Sequence, residues 1–264
     1  MDVVCFITYK NDSTSIKHFQ QLQNDLKNNI DVDVYLLYNN STEKLHNELY
    51  EANNVYEFNK QIVEQNGFEF HYYYWINKGD FYGHNNELIW LNFYKTHKNY
   101  NKYWFIDYDV LYTGNWNDII KECKKHEYDL CSCNIMLRYP IDPSFKYHVK
   151  DTYKFNHKKF LHAFTPIVAF SNNTMNYLIN VYDDGNFGFC ETFIPSILYY
   201  NYDNFKILNL NDLSFVEDYK VTKNDYYSSM SPKDYTIQDM INFKPNILYH
   251  AVKNESGIMF NNKI

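Results

Sequence analysis

Apolar positions along this chain follow two periods. Apolar runs, unbroken in VVCFI at 3–7 and YWFI at 103–106 and lightly interrupted in VDVYLLYN at 32–39 and AFTPIVAFS at 163–171, predict buried strands. Between them the spacing changes. Ile16, Phe19, Leu22 and Leu26 recur at helical intervals behind a Ser/Thr/Asp cluster that suits an N-cap. ELIWLNFYKTH at 87–97 carries Leu88, Leu91 and Phe93 or Tyr94 on one helical face. Asn85 and Asn86 stand in capping position ahead of it.

Helices are also predicted over 117–129, over 174–184 with Gly185 as a stop, and from Glu191 onward. Strands are predicted over 129–137 and 206–210, and a short one leads into His250. Residues 43–65 give a weak helical or mixed signal, and 72–87 contain a Gly-Asp turn. Residues 139–158 form a long irregular stretch, and a loop rich in Tyr and Ser precedes residue 234. Strand, helix, strand within the first 40 residues is the opening of an α/β fold with parallel pairing. No repeat, low-complexity linker or charged tail divides the chain, so one domain is expected over 1–264.

Composition adds limits. A chain of 264 residues, 45% hydrophobic and 22% charged, has the makeup of a globular protein. The 28 Tyr and 20 Phe are conspicuous. Tyrosine rings often line sugar- or base-binding clefts, but plentiful Asn, Lys, Tyr, Ile and Phe with scarce Gly, Pro and Ala also match AT-rich coding, as in some microbes, parasites and large viruses. A net charge of −7 without a long basic run argues against a nucleic-acid partner. The five cysteines, Cys5, Cys123, Cys131, Cys133 and Cys190, have no zinc-type spacing. Isolated thiols in odd number favour a reducing compartment. No apolar run is long enough for a signal peptide or membrane span. A soluble, cytoplasmic protein is the expectation.

The chemistry concentrates in KYWFIDYDVLYTGNW at 102–116, where an apolar strand runs directly into Asp107 and Asp109. Two carboxylates so close repel unless a cation or proton relieves them. In open α/β sheets the carboxyl ends of strands are where ligands bind. Oxygen ligands there suit hard cations such as Mn²⁺ or Mg²⁺, which also hold nucleotide diphosphates. A plain strand-end turn is the other explanation of the pair.

A βαβ opening, a helix, and then an apolar strand ending in Asp-x-Asp resembles the GT-A class of nucleotide-sugar-dependent glycosyltransferases. The resemblance implies a single Rossmann-like α/β domain with a mostly parallel central sheet flanked by helices. It also implies a nucleotide-sugar-binding half over 1–115 and an acceptor-binding half over 116–264. By the same resemblance Asp109 is the direct metal ligand, and Asp107 contacts ribose or the metal through water. His250 and Lys253 in NILYHAVK resemble a C-terminal metal-ligating His followed by a Lys that neutralises diphosphate oxygens. The Gly and Lys-Pro-Trp positions of the glycogenin-like subgroup are absent, so no subgroup is assigned. Thr8 and Tyr9 end the first strand, where such proteins hold base and ribose; both also suit an ordinary strand end. Glu191 in GFCETFIP lies where inverting members place a general base, although an acid there also favours the helix dipole. Thr192 follows it in place of the familiar Asp, which leaves inverting and retaining chemistry both open.

The implied activity is transfer of a hexose, from UDP-glucose or UDP-galactose by frequency in the class, to a hydroxyl of a glycan, protein or small molecule. The irregular stretches over 139–159 and 226–234 are then candidates for acceptor binding and a lid. A non-catalytic nucleotide- or glycan-binding protein of the same fold is the alternative. A haloacid-dehalogenase-like phosphatase fits less well, because its motif belongs on the first strand and Leu111 replaces its Thr or Val. An EF-hand fails because Leu111 falls on a ligand position.

Overall fold

A computed structural model describes residues 1–10, 12–40, 54–63, 65, 67, 86–138, 147–156, 158–221, 226–230, 235 and 237–253. The chain begins with β1 (Asp2–Thr8), α1 (Ser13–Leu26), β2 (Val32–Asn39), β3 (Asn54–Phe58) and a one-turn α2 (Lys60–Val63). Then come α3 (Asn86–Thr96), β4 (Lys102–Asp107), β5 (Leu111–Tyr112), α4 (Trp116–Cys123) and β6 (Leu130–Arg138). The next elements are β7 (Tyr147–His148), β8 (Phe160–Ser171), α5 (Asn172–Asp183), β9 (Phe187–Gly188) and α6 (Cys190–Asn201). Short strands β10 (Ile207–Asn209), β11 (Asp218–Val221), β12 (Tyr226–Ser228) and β13 (Leu248–Tyr249) complete the order, with a 3₁₀ turn at Ile237–Asn242.

Seven strands form one sheet in the order β10-β6-β8-β4-β1-β2-β3. It is mostly parallel, as the sequence predicts; only β8 runs against its two neighbours, β4 and β6. Both faces are covered, which explains the unbroken apolar runs. Successive strand residues point to opposite faces, and β1 shows it. Val3, Cys5 and Ile7 join a core with α3, α5 and α6, while Val4 and Phe6 join another with α1 and α4.

Local chemistry sets the helix ends. Asp12 caps α1 by accepting from the Ser15 amide (2.8 Å), and Asn115 caps α4 through the Asn117 amide (2.9 Å). Gly185 closes α5 at φ +81°, a conformation that costs glycine little. Within 43–65 the described residues hold both a strand, β3, and the one-turn α2, a mixed segment as expected; NVYEF forms the strand because it finds a parallel partner in β2. Asn85 and the Gly-Asp turn lie outside the described residues, and Asn86 is the first residue of α3. Among the described residues, no helix is long and apolar enough to cross a membrane.

Candidate active site

The chain passes from β1 to β2 on one side of β1, while β4 pairs on the other side. That reversal opens a crevice at the carboxyl ends of β1 and β4, the place where open α/β sheets bind ligands. Ile7 stands level with Asp107 across the ladder. Beyond them lies a cavity of about 360 Å³. Ile7, Thr8 and Tyr9 line it from β1, and Asp107, Tyr108 and Asp109 from β4. Phe164, Thr165 and Pro166 of β8, Phe189, Cys190 and Glu191 at the start of α6, and His250 complete the wall. The structure therefore gathers Thr8, Tyr9, Asp107, Asp109, Glu191 and His250 around one cavity, while Lys253 is not among the lining residues.

Asp109 is buried, and its Oδ1 lies 3.6 Å from His250 Nε2. The tail brings His250 there. Strand β13 pairs antiparallel with β5, and the Val252 amide donates to the Asp109 carbonyl (2.8 Å). The His250 amide donates to the Ser229 carbonyl (3.0 Å), and its ring meets Phe164 edge-on with centroids 5.0 Å apart. Lys253 is held through its amide by the Tyr235 carbonyl (3.0 Å).

Burial holds Asp107 well above the usual carboxylate range, and the neighbouring Asp109 and Glu191 charges push it further. A cation against this pair would relieve the repulsion. A carboxylate and an imidazole facing one cavity are donors that Mn²⁺ or Mg²⁺ accepts, and such ions commonly complete their shell with substrate phosphates and water. Among the described residues, no third His, Cys, Asp or Glu joins them in a group that could hold a metal.

At the β1 end, Thr8 accepts from the Lys10 amide (2.9 Å), so its hydroxyl shapes the turn. The Tyr9 and Tyr108 rings meet edge-to-face at 5.2 Å, with their hydroxyls 3.3 Å apart. Lys10 Nζ lies over both rings, 5.5 Å from Tyr9 and 4.8 Å from Tyr108. Burial, with Asp109 close by, raises the Tyr108 hydroxyl and keeps it protonated.

Glu191 occupies the first turn of α6. Its Oε1 accepts from the Thr165 amide (3.4 Å), which is available because the β6–β8 register shifts nearby. Ser132 supports that irregularity by donating to the carbonyls of Phe164 (2.6 Å) and Ile167 (3.0 Å). Burial raises the Glu191 carboxyl to about 7, against the opposing pull of the Thr165 amide and Arg138.

Sequence reasoning missed Lys10, His18, Tyr108 and Arg138. Arg138 had one legible signal: it is the only arginine of the chain. His18 had another, a polar residue on the apolar side of α1, where it is buried beside Phe19 and Leu22.

A cavity at the switch point of an α/β sheet is where such folds bind ligands. No protein-family model matches the chain, and no curated protein matches it. Solved structures similar to it include a 4-diphosphocytidyl-2C-methyl-D-erythritol synthase from Anaerococcus prevotii. That similarity is 9% identity over 79% of this chain and 86% of the other, at a TM-score of 0.44. The mannosyltransferase Ktr4p from S. cerevisiae is similar at 12% identity over 74% and 65%, with a TM-score of 0.36. HddC from Yersinia pseudotuberculosis, complexed with GMP-PN, is similar at 7% identity over 66% and 79%, with a TM-score of 0.35.

Proposed function

We propose that this protein is a metal-dependent glycosyltransferase that moves a hexose from a nucleoside-diphosphate sugar, UDP-linked in the first instance, to an acceptor hydroxyl. One observation carries the proposal: Tyr9, Asp107, Asp109, Glu191 and His250, scattered over the sequence, line a single cavity at the sheet's switch point. Its volume, about 360 Å³, lies within the range of small-ligand sites.

Asp109 and His250 would hold Mn²⁺ or Mg²⁺, with Asp107 beside them on the ribose or a metal-bound water. The ion supplies positive charge for the diphosphate that leaves. Thr8 and Tyr9 receive the nucleoside at the end of β1. Lys253, three residues beyond His250 on the same segment, is the candidate cation for diphosphate oxygens. If transfer inverts the anomeric carbon, Glu191 takes the proton from the acceptor hydroxyl as the hydroxyl oxygen bonds to that carbon and the bond to the diphosphate breaks. If it retains, Glu191 orients the acceptor or faces the sugar. A carboxyl raised to about 7 is a stronger base than an ordinary glutamate and is still half ionised at neutral pH. The acceptor is a glycan, a protein or a small molecule.

The test is release of nucleoside diphosphate from a panel of nucleotide sugars, with Mn²⁺ and with EDTA. Hydrolysis of one donor that stops with EDTA is expected. No hydrolysis of any donor, together with no thermal stabilisation by UDP and Mn²⁺, would overturn the proposal.

A further inference from the structure

Three consecutive carbonyls at the end of β4 are each held by a different part of the molecule. The Asp107 carbonyl accepts from the Val110 amide within the turn (3.0 Å). The Asp109 carbonyl accepts from the Val252 amide of the C-terminal segment (2.8 Å). Between them, the Tyr108 carbonyl lies 3.1 Å from His18 Nδ1 of α1. A carbonyl can only accept, so Nδ1 must carry the proton and His18 donates.

The Tyr108 carbonyl belongs to the peptide plane that also contains the Asp109 nitrogen. Fixing that plane on one side of Asp109, and the Asp109 carbonyl on the other, leaves its side chain little freedom except about its own χ angles. The first restraint comes from His18. The second comes from Val252, two residues past His250, so it moves with the imidazole that Asp109 faces. Buried beside Phe19 and Leu22, His18 is anchored by the packing of α1 against the sheet. Asp12 caps the same helix immediately after the β1 end that lines the cavity.

We propose that His18 is the positioning residue of this site, holding the Tyr108 peptide so that Asp109 presents its carboxylate to the cavity opposite His250. It touches neither ligand nor reacting atoms and acts through Asp109. Its functional consequence rests on the glycosyltransferase reading above, but its structural part does not.

Two variants separate positioning from packing. His18→Asn places an amide N–H where Nδ1 stands and loses the ring. His18→Phe keeps the ring volume and loses the donor. Hydrogen exchange at the Val110 and Val252 amides reports the turn directly. Exchange in His18→Phe should rise at both amides and stay near wild type in His18→Asn. Mn²⁺ titration with UDP present in solution should then show affinity weakened about 10- to 100-fold in His18→Phe, the cost typical of losing an outer support of a metal ligand, with recovery in His18→Asn.

If both amides exchange in His18→Phe as in wild type, the proposal is wrong. It is equally wrong if His18→Asn behaves worse than His18→Phe, since packing would then be the whole role. If exchange rises as expected while wild type binds neither Mn²⁺ nor UDP, the glycosyltransferase reading falls and the role of His18 in holding the turn stands.

Discussion

Glu191 gives the sharpest expectations at the scale of one residue. Its carboxyl titrates near 7 in the folded protein against 4.5 for an unperturbed glutamate. The folded state therefore holds its proton more tightly. The cost of burying the charge is absent below pH 4.5, grows across the interval and is complete above 7. Glu191→Gln should match wild type in stability at pH 4, and exceed it at pH 8 by up to about 3 kcal/mol. Chemical denaturation at the two pH values measures this. Activity has the opposite sign: transfer by wild type should rise as pH passes through about 7, and Glu191→Gln should lose most of it with donor binding little changed. Asp109 behaves differently, because removing it also takes away one of the two neighbouring charges that, with burial, raise the Asp107 carboxyl. Asp109→Asn in EDTA should melt no lower than wild type, while the stabilisation by Mn²⁺ with UDP disappears. Full retention of that stabilisation would remove Asp109 from the metal site.

The elements that carry the site differ in how well the sequence displayed them. Strands β1 and β4 were legible because each is apolar on both faces, β2 because of its run of Val, Tyr and Leu, and so was the start of α6 behind GF. Helix α3 was found, but its single apolar face was an underestimate: Leu88, Ile89, Trp90, Leu91, Phe93 and Tyr94 are all buried. Strand β3 was not found, since NVYEF is only partly buried and its partner β2 is distant in sequence. The irregular stretches proposed for acceptor and lid contain β7, which pairs with β9, and β12, which pairs with β11. Residues 139–146 and 231–234 lie outside the described residues. No periodicity could announce how the tail docks on β5. That docking depends on Gly114, where a Cβ would fall 2.5 Å from Asn246 Oδ1 and 2.7 Å from the Tyr112 ring. The tail has a small core of its own around Leu111, Tyr235, Tyr249 and Val252, with Phe243 and Tyr249 stacked at 3.8 Å. Gly114→Ala should therefore loosen this unit first, at a cost of about 1–3 kcal/mol. Limited proteolysis should cut within 235–253, and the metal response should weaken because His250 is no longer held. Cleavage elsewhere, with the tail protected, would contradict that order.

For the whole molecule, the site could be read from sequence only in part, because topology does the gathering. Asp107 and Asp109 announced themselves together, whereas Glu191 and His250 reach them only through the antiparallel β8 and the returning tail. The result is a cavity with three carboxylates in a protein of net charge −7. Such a cavity repels a nucleoside diphosphate in the absence of a cation, and the divalent ion reverses the sign of the interaction at short range. Binding of nucleotide and metal should therefore be strongly interdependent. UDP with EDTA should leave the melting temperature unchanged, and Mn²⁺ alone should raise it slightly. The two together, at about 100 times their joint Kd, should add about 2.7 kcal/mol, or several degrees in Tm for a chain of this size. Raising salt should weaken UDP binding only modestly, since a metal-bridged contact in a half-closed cavity is screened far less than a surface ion pair. Equal stabilisation by UDP with and without Mn²⁺ would show instead that protein cations such as Lys10 and Lys253 bind the phosphates unaided, leaving the acid pair to some task other than holding a metal.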